Sequence, residues 1–483
     1  MPTAVIVGGG IAGLAGALAL SGIGYRVLVL ERAPRPPRGS VTQAAPRWQD
    51  RPTVPQAGHS HTLTSLGVRV LRERAPQVLA AARAAGAHLL DLTSALPATV
   101  PDRAPEPGDS DLVALGCRRS TLELLLHRTV SDTAGVGVRH GVHVTAVELD
   151  RTARRVRAVV TDGGERLPAD IVVDATGRRA LSRTWLRAAG IPLAPDRTSP
   201  SGLTGYSRSY TLDVTTRPGP LNRGNAAGDI FGHYAGVLHP GDGGTFSVAL
   251  AALPGDRALH GLRTPQGFTA AAHATPGLSP WLDDGISTPL GGVRVIACPP
   301  NTLRGSAGPL QQPVAGLFPV GDAACVTNPL FGRGMSLALE HAFRIADLLA
   351  HRPDVDIAQR RAVARLTHDL FVPWYEQSAA SDRLRIARWK AAVAGTPVPT
   401  PVRAEGDPLP AFEEVAAAAR GDATVWRGLT RVLMTLNTPH EVFGDEEFAE
   451  RVRRAAPGAA PRPDGVGRQD LVRRVAAAEG ALV

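Results

Sequence analysis

The sequence predicts an α/β fold: a Rossmann-like dinucleotide-binding domain, an antiparallel-sheet domain and a helical C-terminal region. Three observations carry this prediction. An apolar strand, a glycine-rich turn and a small-residue helix open the chain at 3–31, and a second strand, turn and helix follow at 317–349. Between them, at 202–253, period-two alternation marks antiparallel strands.

In the first unit, Thr3 to Val7 is the strand, Gly8 to Gly13 the turn, and Tyr25 to Glu31 a second strand. Gly8 permits the tight turn, Gly10 lets the backbone approach a pyrophosphate, and Gly13 lets the helix pack on the strand. Ile11 and Ala12 open the helix, whose free N–H groups suit phosphates. Glu31 ends the second strand, where a carboxylate accepts hydrogen bonds from an adenosine ribose, and Arg32 extends that site.

The second unit, Leu317 to Ser336, decides which dinucleotide. Asp322, after Gly321 at a strand end, suits ribityl hydroxyls. Beyond Pro329, the residues Gly332, Gly334 and Met335 open a helix running to about Leu349. Its N–H groups would face the electron-rich N1/O2 edge of an isoalloxazine, a logic that suits a flavin. On these residues the chain resembles, over roughly 3 to 350, the FAD-dependent monooxygenases of the para-hydroxybenzoate hydroxylase fold. The resemblance implies a three-layer (ββα) FAD-binding domain from 1–50, 113–198 and 293–352, a substrate domain from 51–112 and 199–292, and a helical region over 353–483.

Two further segments fit that family. Cys117 to Leu126 resembles the helix whose Arg-x-x-Leu pattern places an arginine, here Arg119, on the FAD. Val144 is carried over to the FAD site in the same way. Ala169 to Arg178 is similar to the strand bearing an Asp-Gly pair in hydroxylases that bind FAD and NADPH together, but the pair reads Thr176-Gly177 here. The missing aspartate shifts the expectation toward NAD(P)H electrons arriving through a separate flavin reductase.

The layout is most similar to that of bacterial polyether-type flavin epoxidases, with squalene and styrene epoxidases as more distant relatives. Val54 to Leu63, followed by a helix and Ala85-Gly86-Ala87, resembles their Pro-Gln-x-x-His-x-His stretch. Gln56, His59 and His61 are thereby candidate positioning residues beside the flavin, and Arg208 is a further one. As alternate strand residues His59 and His61 would share a face, but no third ligand accompanies them, so no metal site is expected.

The implied reaction inserts one O2-derived oxygen atom into an organic substrate through a C4a-(hydro)peroxyflavin. Epoxidation of an alkene in bacterial specialised metabolism stands ahead of ring hydroxylation. An O2-independent FAD reductase of isoprenoid double bonds and a non-catalytic FAD-binding protein are the alternatives. Flavin halogenases rely on a lysine near the substrate and a Trp-x-Trp motif; Lys390 is the only lysine and no such tryptophan pair exists. The cofactor carries the chemistry, so no obligatory catalytic side chain is assigned.

Composition sets the remaining limits. The net charge of +9 comes almost wholly from arginines scattered along the chain, without the basic block a nucleic-acid binder carries. Cys117, Cys298 and Cys325 are odd in number and lack CxxC spacing, as expected of reduced thiols in the cytoplasm. Ile11 to Leu30 is apolar, but Arg26 and its glycines argue against a membrane span, and the N-terminus lacks a signal-peptide pattern. The expected partners are thus a small organic substrate, O2 and a flavin reductase, with neither nucleic acid nor membrane.

Between these units, Pro97 to Asp111 reads as an exposed loop or lid. Tyr206, Arg208, Tyr210 and Leu212 share one face of a strand, and Gly244 to Leu250 is another strand, together suggesting a sheet that floors a cavity over the flavin. Helices are predicted at Ile357 to Val372 and Tyr375 to Ala394, then, after a proline link at Pro397 to Pro401, at about Ala411 to Arg420 and Val425 to Leu436. From Pro457 the pattern is loose until an amphipathic piece near Asp470 to Glu479, which caps the cavity or mediates a dimer; its pattern decides neither.

Overall fold

Alternation along the first strand builds two cores at once. In the computed structural model, which describes residues 1–150, 154–215, 217–398, 409–455 and 465–480, Thr3–Val7 pairs in parallel with Arg26–Glu31 on one side and Ile171–Asp174 on the other. Val136–His140 and Leu317–Pro319 complete a five-stranded parallel sheet. Ala4 and Ile6 point into a core shared with the helices Ile11–Gly22, Arg119–Ser131 and Gly334–His351. Val5 and Val7 point the other way, against Val144, Val156 and Val159 of an antiparallel meander. Helices, sheet and meander are the three ββα layers of the expected Rossmann-like domain. The connection from Thr3–Val7 leads to Arg26–Glu31 on one side and that from Ile171–Asp174 to Leu317–Pro319 on the other, so a crevice opens at the carboxyl ends of the two strands, where α/β sheets bind ligands.

A second sheet has the order Ala227–Ile230, Ala235–Pro240, Thr245–Ala252, Thr204–Leu212, Ser287–Ala297, all antiparallel. Its last strand runs across the domain boundary expected at 292/293. Tyr206 and Tyr210 lie on the apolar face, with Phe246, Phe268 and Trp281; Tyr210 stacks on Phe246 with ring centroids 5.1 Å apart. Ser207, Ser209 and Ser247 belong to the opposite face, which turns toward the Rossmann-like domain.

One prediction for the helical region is corrected. Ile357–Ala394 is a single 38-residue helix that runs through Pro373, where the sequence suggests a break. Proline removes one hydrogen bond and favours a kink, but Phe371, Trp374 and Tyr375 around it are all buried in the main core, and that packing carries the helix through. Phe412–Ala418 falls within its predicted span, whereas Ala423–Leu433 begins two residues before the predicted Val425 and ends three before Leu436. Pro399, Thr400 and Pro401 of the proline link, and the stretch beginning at Pro457, lie outside the described residues. Arg468–Gly480 buries Leu471 and Val475 behind the antiparallel sheet, and Arg468 pairs with Asp256 at 2.7 Å. The tail thus backs the sheet's apolar face and does not cover the serine face.

Pro97 to Asp111 is largely exposed, but Arg427 clasps it by donating to the Ala104 carbonyl and to the Glu106 and Asp109 carboxylates at 2.8–2.9 Å. Arg427→Ala is expected to open this segment to limited proteolysis several-fold faster, at a global stability cost of about 1–3 kcal/mol for the lost charged hydrogen bonds. An unchanged cleavage rate would show that the clasp does not restrain it.

Candidate functional site

The glycine-rich turn is shaped by close approach. Gly8 has φ +111°, and a Cβ there would lie 2.4 Å from the Ala175 carbonyl oxygen; a Cβ on Gly13 would lie 1.9 Å from the Gly8 oxygen. These two glycines let the turn abut the neighbouring strand end and the helix abut the turn. At Gly10 the nearest atom to such a Cβ is 3.9 Å away, so this position keeps an approach open. Glu31 accepts hydrogen bonds from the Gly9 N–H at 2.6 Å and the Ala33 N–H at 2.7 Å, so the carboxylate expected at a ribose also holds the turn. Asp174 accepts from the Thr176 N–H and hydroxyl, and Gly177 takes φ +63°, which places the Thr-Gly pair beside the turn. Ile11 and Val144 are buried in the two cores, which leaves their backbones as their contribution to a ligand. Arg32 is exposed.

Across the crevice, Gly321 at φ +62° brings its strand end against Ala12. The Asp322 carboxylate makes no hydrogen bond among the described residues. Burial pushes its pKa up, and the nearby Arg119, Arg178 and Arg304 pull the other way. An orphaned acceptor among three guanidiniums fits the hydroxyl-rich, anionic dinucleotide that the sequence implies. Gly334 opens the helix Gly334–His351 with nothing within 4 Å of where a Cβ would be, and Gly332 at φ +64° lies against Thr62. Pro329 is exposed and Met335 is buried. The residues present therefore fit FAD: backbone amides for the phosphates and flavin edge, carboxylates for the sugar chain.

Two charge clusters were missed by the sequence reading. Arg119 donates to Glu123 at 3.2 Å, and Arg51 donates to both oxygens of the same carboxylate at 2.8 and 2.9 Å. Arg51 also stacks 4.1 Å over Trp48. Glu123 is fully buried; burial pushes its pKa up, but Arg119 and Arg51 outweigh that and hold it below the usual range. The second cluster joins the two domains: Asp242, in the loop after the strand Ala235–Pro240, accepts from the Arg118 N–H and guanidinium and from the Thr121 hydroxyl. The only hint of the first is Glu123 itself, one acid among Leu122, Leu124, Leu125 and Leu126.

A small cavity lies where these parts meet, lined by Gly58, His59, His61, Arg118, Arg119, Ser209 and Ser247 among others. The segment carrying the histidines is a loop lying on the serine face of the sheet, not the strand its alternation suggests. His59 Nδ1 is 2.7 Å from the Ser207 hydroxyl, Ser60 and Ser247 hydroxyls are 2.8 Å apart, and His61 Nδ1 is 2.8 Å from the His59 carbonyl oxygen. Arg294 crosses Gly58 to pair with Asp50 and straps the segment down. Gln56 is met by Arg178 at 3.4 Å, outside the cavity lining. Among the described residues no cluster of His, Cys, Asp and Glu is placed to hold a metal ion. Arg208 is corrected: it lies on the far face, donating to the Gly291 carbonyl and the Thr269 hydroxyl, because it alternates with the serines and shares the side of Tyr206 and Tyr210.

Burial lowers the pKa of His59 to about 4 and of His61 to about 3, with Arg294 and Arg119 respectively adding to it. His341, under the helix Gly334–His351, is likewise lowered to about 3. These imidazoles are neutral in the folded chain and take up protons on unfolding below about pH 6.5. Stability is therefore expected in full above about pH 6.5 and to fall as the pH drops toward 4. Urea unfolding at pH 7.5 and 5.5 checks this, and His61→Gln should lessen the difference; a pH-independent midpoint would contradict it.

The family described as an NAD(P)-binding Rossmann-like domain matches residues 6–68. Protein Rv3254 of Mycobacterium tuberculosis (strain ATCC 25618 / H37Rv) is 28% identical over 396 residues, covering 76% of this chain and 78% of that protein. Among solved structures, PqsL, a probable FAD-dependent monooxygenase from Pseudomonas aeruginosa, superimposes with a TM-score of 0.56 at 17% identity, over 82% of this chain and 100% of its own. A flavoprotein/dehydrogenase from Cytophaga hutchinsonii gives 0.60 at 14% identity (94% and 98%), and the flavin-dependent halogenase CmlS gives 0.57 at 18% (99% and 77%). At these identities the structural likeness establishes the shared fold. No helix among the described residues is long and apolar enough to cross a membrane.

Proposed function

We propose that this chain is an FAD-dependent monooxygenase that transfers one oxygen atom from O2 to a small organic substrate, with epoxidation of an alkene as its leading reaction. The observation that carries the reading is the crevice in which Gly10, Arg119, the orphaned Asp322 carboxylate and the amino end of Gly334–His351 converge beside the serine-faced cavity. PqsL, a probable FAD-dependent monooxygenase with the same fold, supports it. In this reading the FAD-binding domain comprises 1–50, 113–198 and 293–352 and the substrate domain 51–112 and 199–292, with the strand Ser287–Ala297 bridging them.

Bound FAD would supply the redox and oxygen chemistry. The chain's own residues bind, orient and exclude water. Gly10 and the following helix would receive the pyrophosphate, Glu31 the ribose and Asp322 the ribityl chain. The amino end of Gly334–His351 would favour the electron-rich state of the flavin edge. Ser209 and Ser247 would line the side of the sheet that faces the substrate, and His59 and His61, both neutral, would act through hydrogen bonds and not as charged acids. Thr176-Gly177 in place of an Asp-Gly pair supports electron supply from a separate reductase. Lys390, the only lysine, is exposed on Ile357–Ala394 and outside the cavity lining, which disfavours a lysine-dependent halogenase.

The test is stopped-flow spectroscopy of FAD-loaded protein, reduced without oxygen and then mixed with O2. A transient absorbance distinct from both oxidised and reduced flavin is expected, and consumption of O2 with alkenes should follow. Failure to bind FAD would sink the proposal, and direct reoxidation with every alkene tried would favour an O2-independent reductase.

A further inference from the structure

We propose that the cavity behind the strand Leu317–Pro319 is a binding site for a small monovalent anion, held by Arg360. It is a site separate from the cofactor crevice, and the argument is independent of the proposed activity.

The cavity is small and is lined by Ser306, Gln311, Gln312, Val314, Leu317 and Arg360 among others. Arg360 sits near the start of Ile357–Ala394 and is 4% exposed. Its only hydrogen bond among the described residues runs from Nη2 to the Ser306 carbonyl at 3.1 Å, so among them Nε and Nη1 have no acceptor. It forms no ion pair with a described carboxylate. Burial alone acts on it, lowering its pKa to about 10 with no opposing charge nearby. The Ser306 hydroxyl in the same wall is also buried without a partner.

Elsewhere this chain neutralises its buried guanidiniums. Arg51 has Glu123, Arg385 has Asp382, and Arg427 has Asp109 and Glu106. Arg333 is the other exception, and it is sandwiched between the ring faces of Phe331 and Trp374 at 4.6 and 4.8 Å, which supply cation–π attraction. Arg360 has no such ring. A lone buried cation is costly unless paired, and it faces a cavity offering a guanidinium and a hydroxyl as donors. A single guanidinium beside neutral Ser306, Gln311 and Gln312 offers one positive charge, which disfavours a multiply charged ion, and the small space limits size. The ligand class is therefore a halide or a short carboxylate such as formate.

Thermal unfolding of the full chain, saturated with FAD, tests this in sodium gluconate, with chloride or formate replacing gluconate at constant ionic strength. A saturable rise of the midpoint with either ion is expected, and which ion acts distinguishes halide from carboxylate. Arg360→Met should abolish that rise. Absence of any anion-specific rise in the unsubstituted protein, or an undiminished rise in Arg360→Met, would overturn the proposal. Should the variant not fold, crystals of the unsubstituted protein grown in bromide, or in formate if formate alone acts, decide it. Anomalous density for bromide, or density for formate, beside Arg360 and Ser306 supports the site, and its absence overturns it.

Discussion

Asp322→Ala is expected to leave a folded protein that no longer retains FAD through gel filtration. The carboxylate sits at the end of its strand without a hydrogen-bond partner among the described residues, near Arg119, Arg178 and Arg304. Its removal relieves a desolvated acid in the unliganded chain, so the apoprotein should be no less stable than before. The loss falls on binding. A hydrogen bond to a charged group contributes about 1.5–3 kcal/mol, which is roughly a ten- to a hundredfold increase in Kd. Asp322→Asn, which keeps one acceptor oxygen, should lie between the two. Flavin absorbance relative to protein absorbance reads occupancy, and titration of apoprotein reads Kd. FAD saturation should raise the unfolding midpoint of the parent more than that of the variant. Equal occupancy in parent and variant would refute the assignment of Asp322 to the cofactor.

What the sequence made legible at this site follows from backbone demands. Gly8 and Gly13 are readable because a side chain at either would collide with main-chain oxygens at 2.4 and 1.9 Å, and no other residue type escapes that. Asp322 is readable because a strand end followed by glycines and a helix leaves few roles for an acid. Arg208 shows where such reading stops. Periodicity correctly placed it with Tyr206 and Tyr210, but not which face turns toward the cofactor; the aromatic residues decide that by packing on Phe246, Phe268 and Trp281. The histidines illustrate the same limit, since x-His-x-His spacing is compatible with a strand while the observed loop is fixed by partners such as Ser207, 148 positions away. Pro373 misled for the converse reason: local propensity predicts a break, and burial of its neighbours overrides it.

Glu123→Ala is expected to be the most destabilising single change near the site. Glu123 is fully buried, with Arg51 on both oxygens and Arg119 on one, so removing it leaves two guanidiniums facing each other in a protein interior. Breaking a buried pair from one side costs about 3–5 kcal/mol, because the stranded charge keeps its desolvation penalty. Glu123→Gln preserves the volume but offers one acceptor oxygen to both arginines, and should cost less than alanine. The acid's depressed pKa adds a pH signature: its contribution is present above the unfolded value near 4.3 and is lost as the pH falls through the lower folded value. Denaturant unfolding of apoprotein at neutral pH measures the loss, and a shift under about 1 kcal/mol would mean that solvent reaches the cluster. FAD affinity supplies the second readout. Arg119 is oriented by Glu123 at 3.2 Å and lies near Asp322. Weaker FAD binding in Glu123→Gln, where the fold is kept, would therefore identify Glu123 as a positioning residue acting through Arg119, whereas unchanged affinity would confine it to stability.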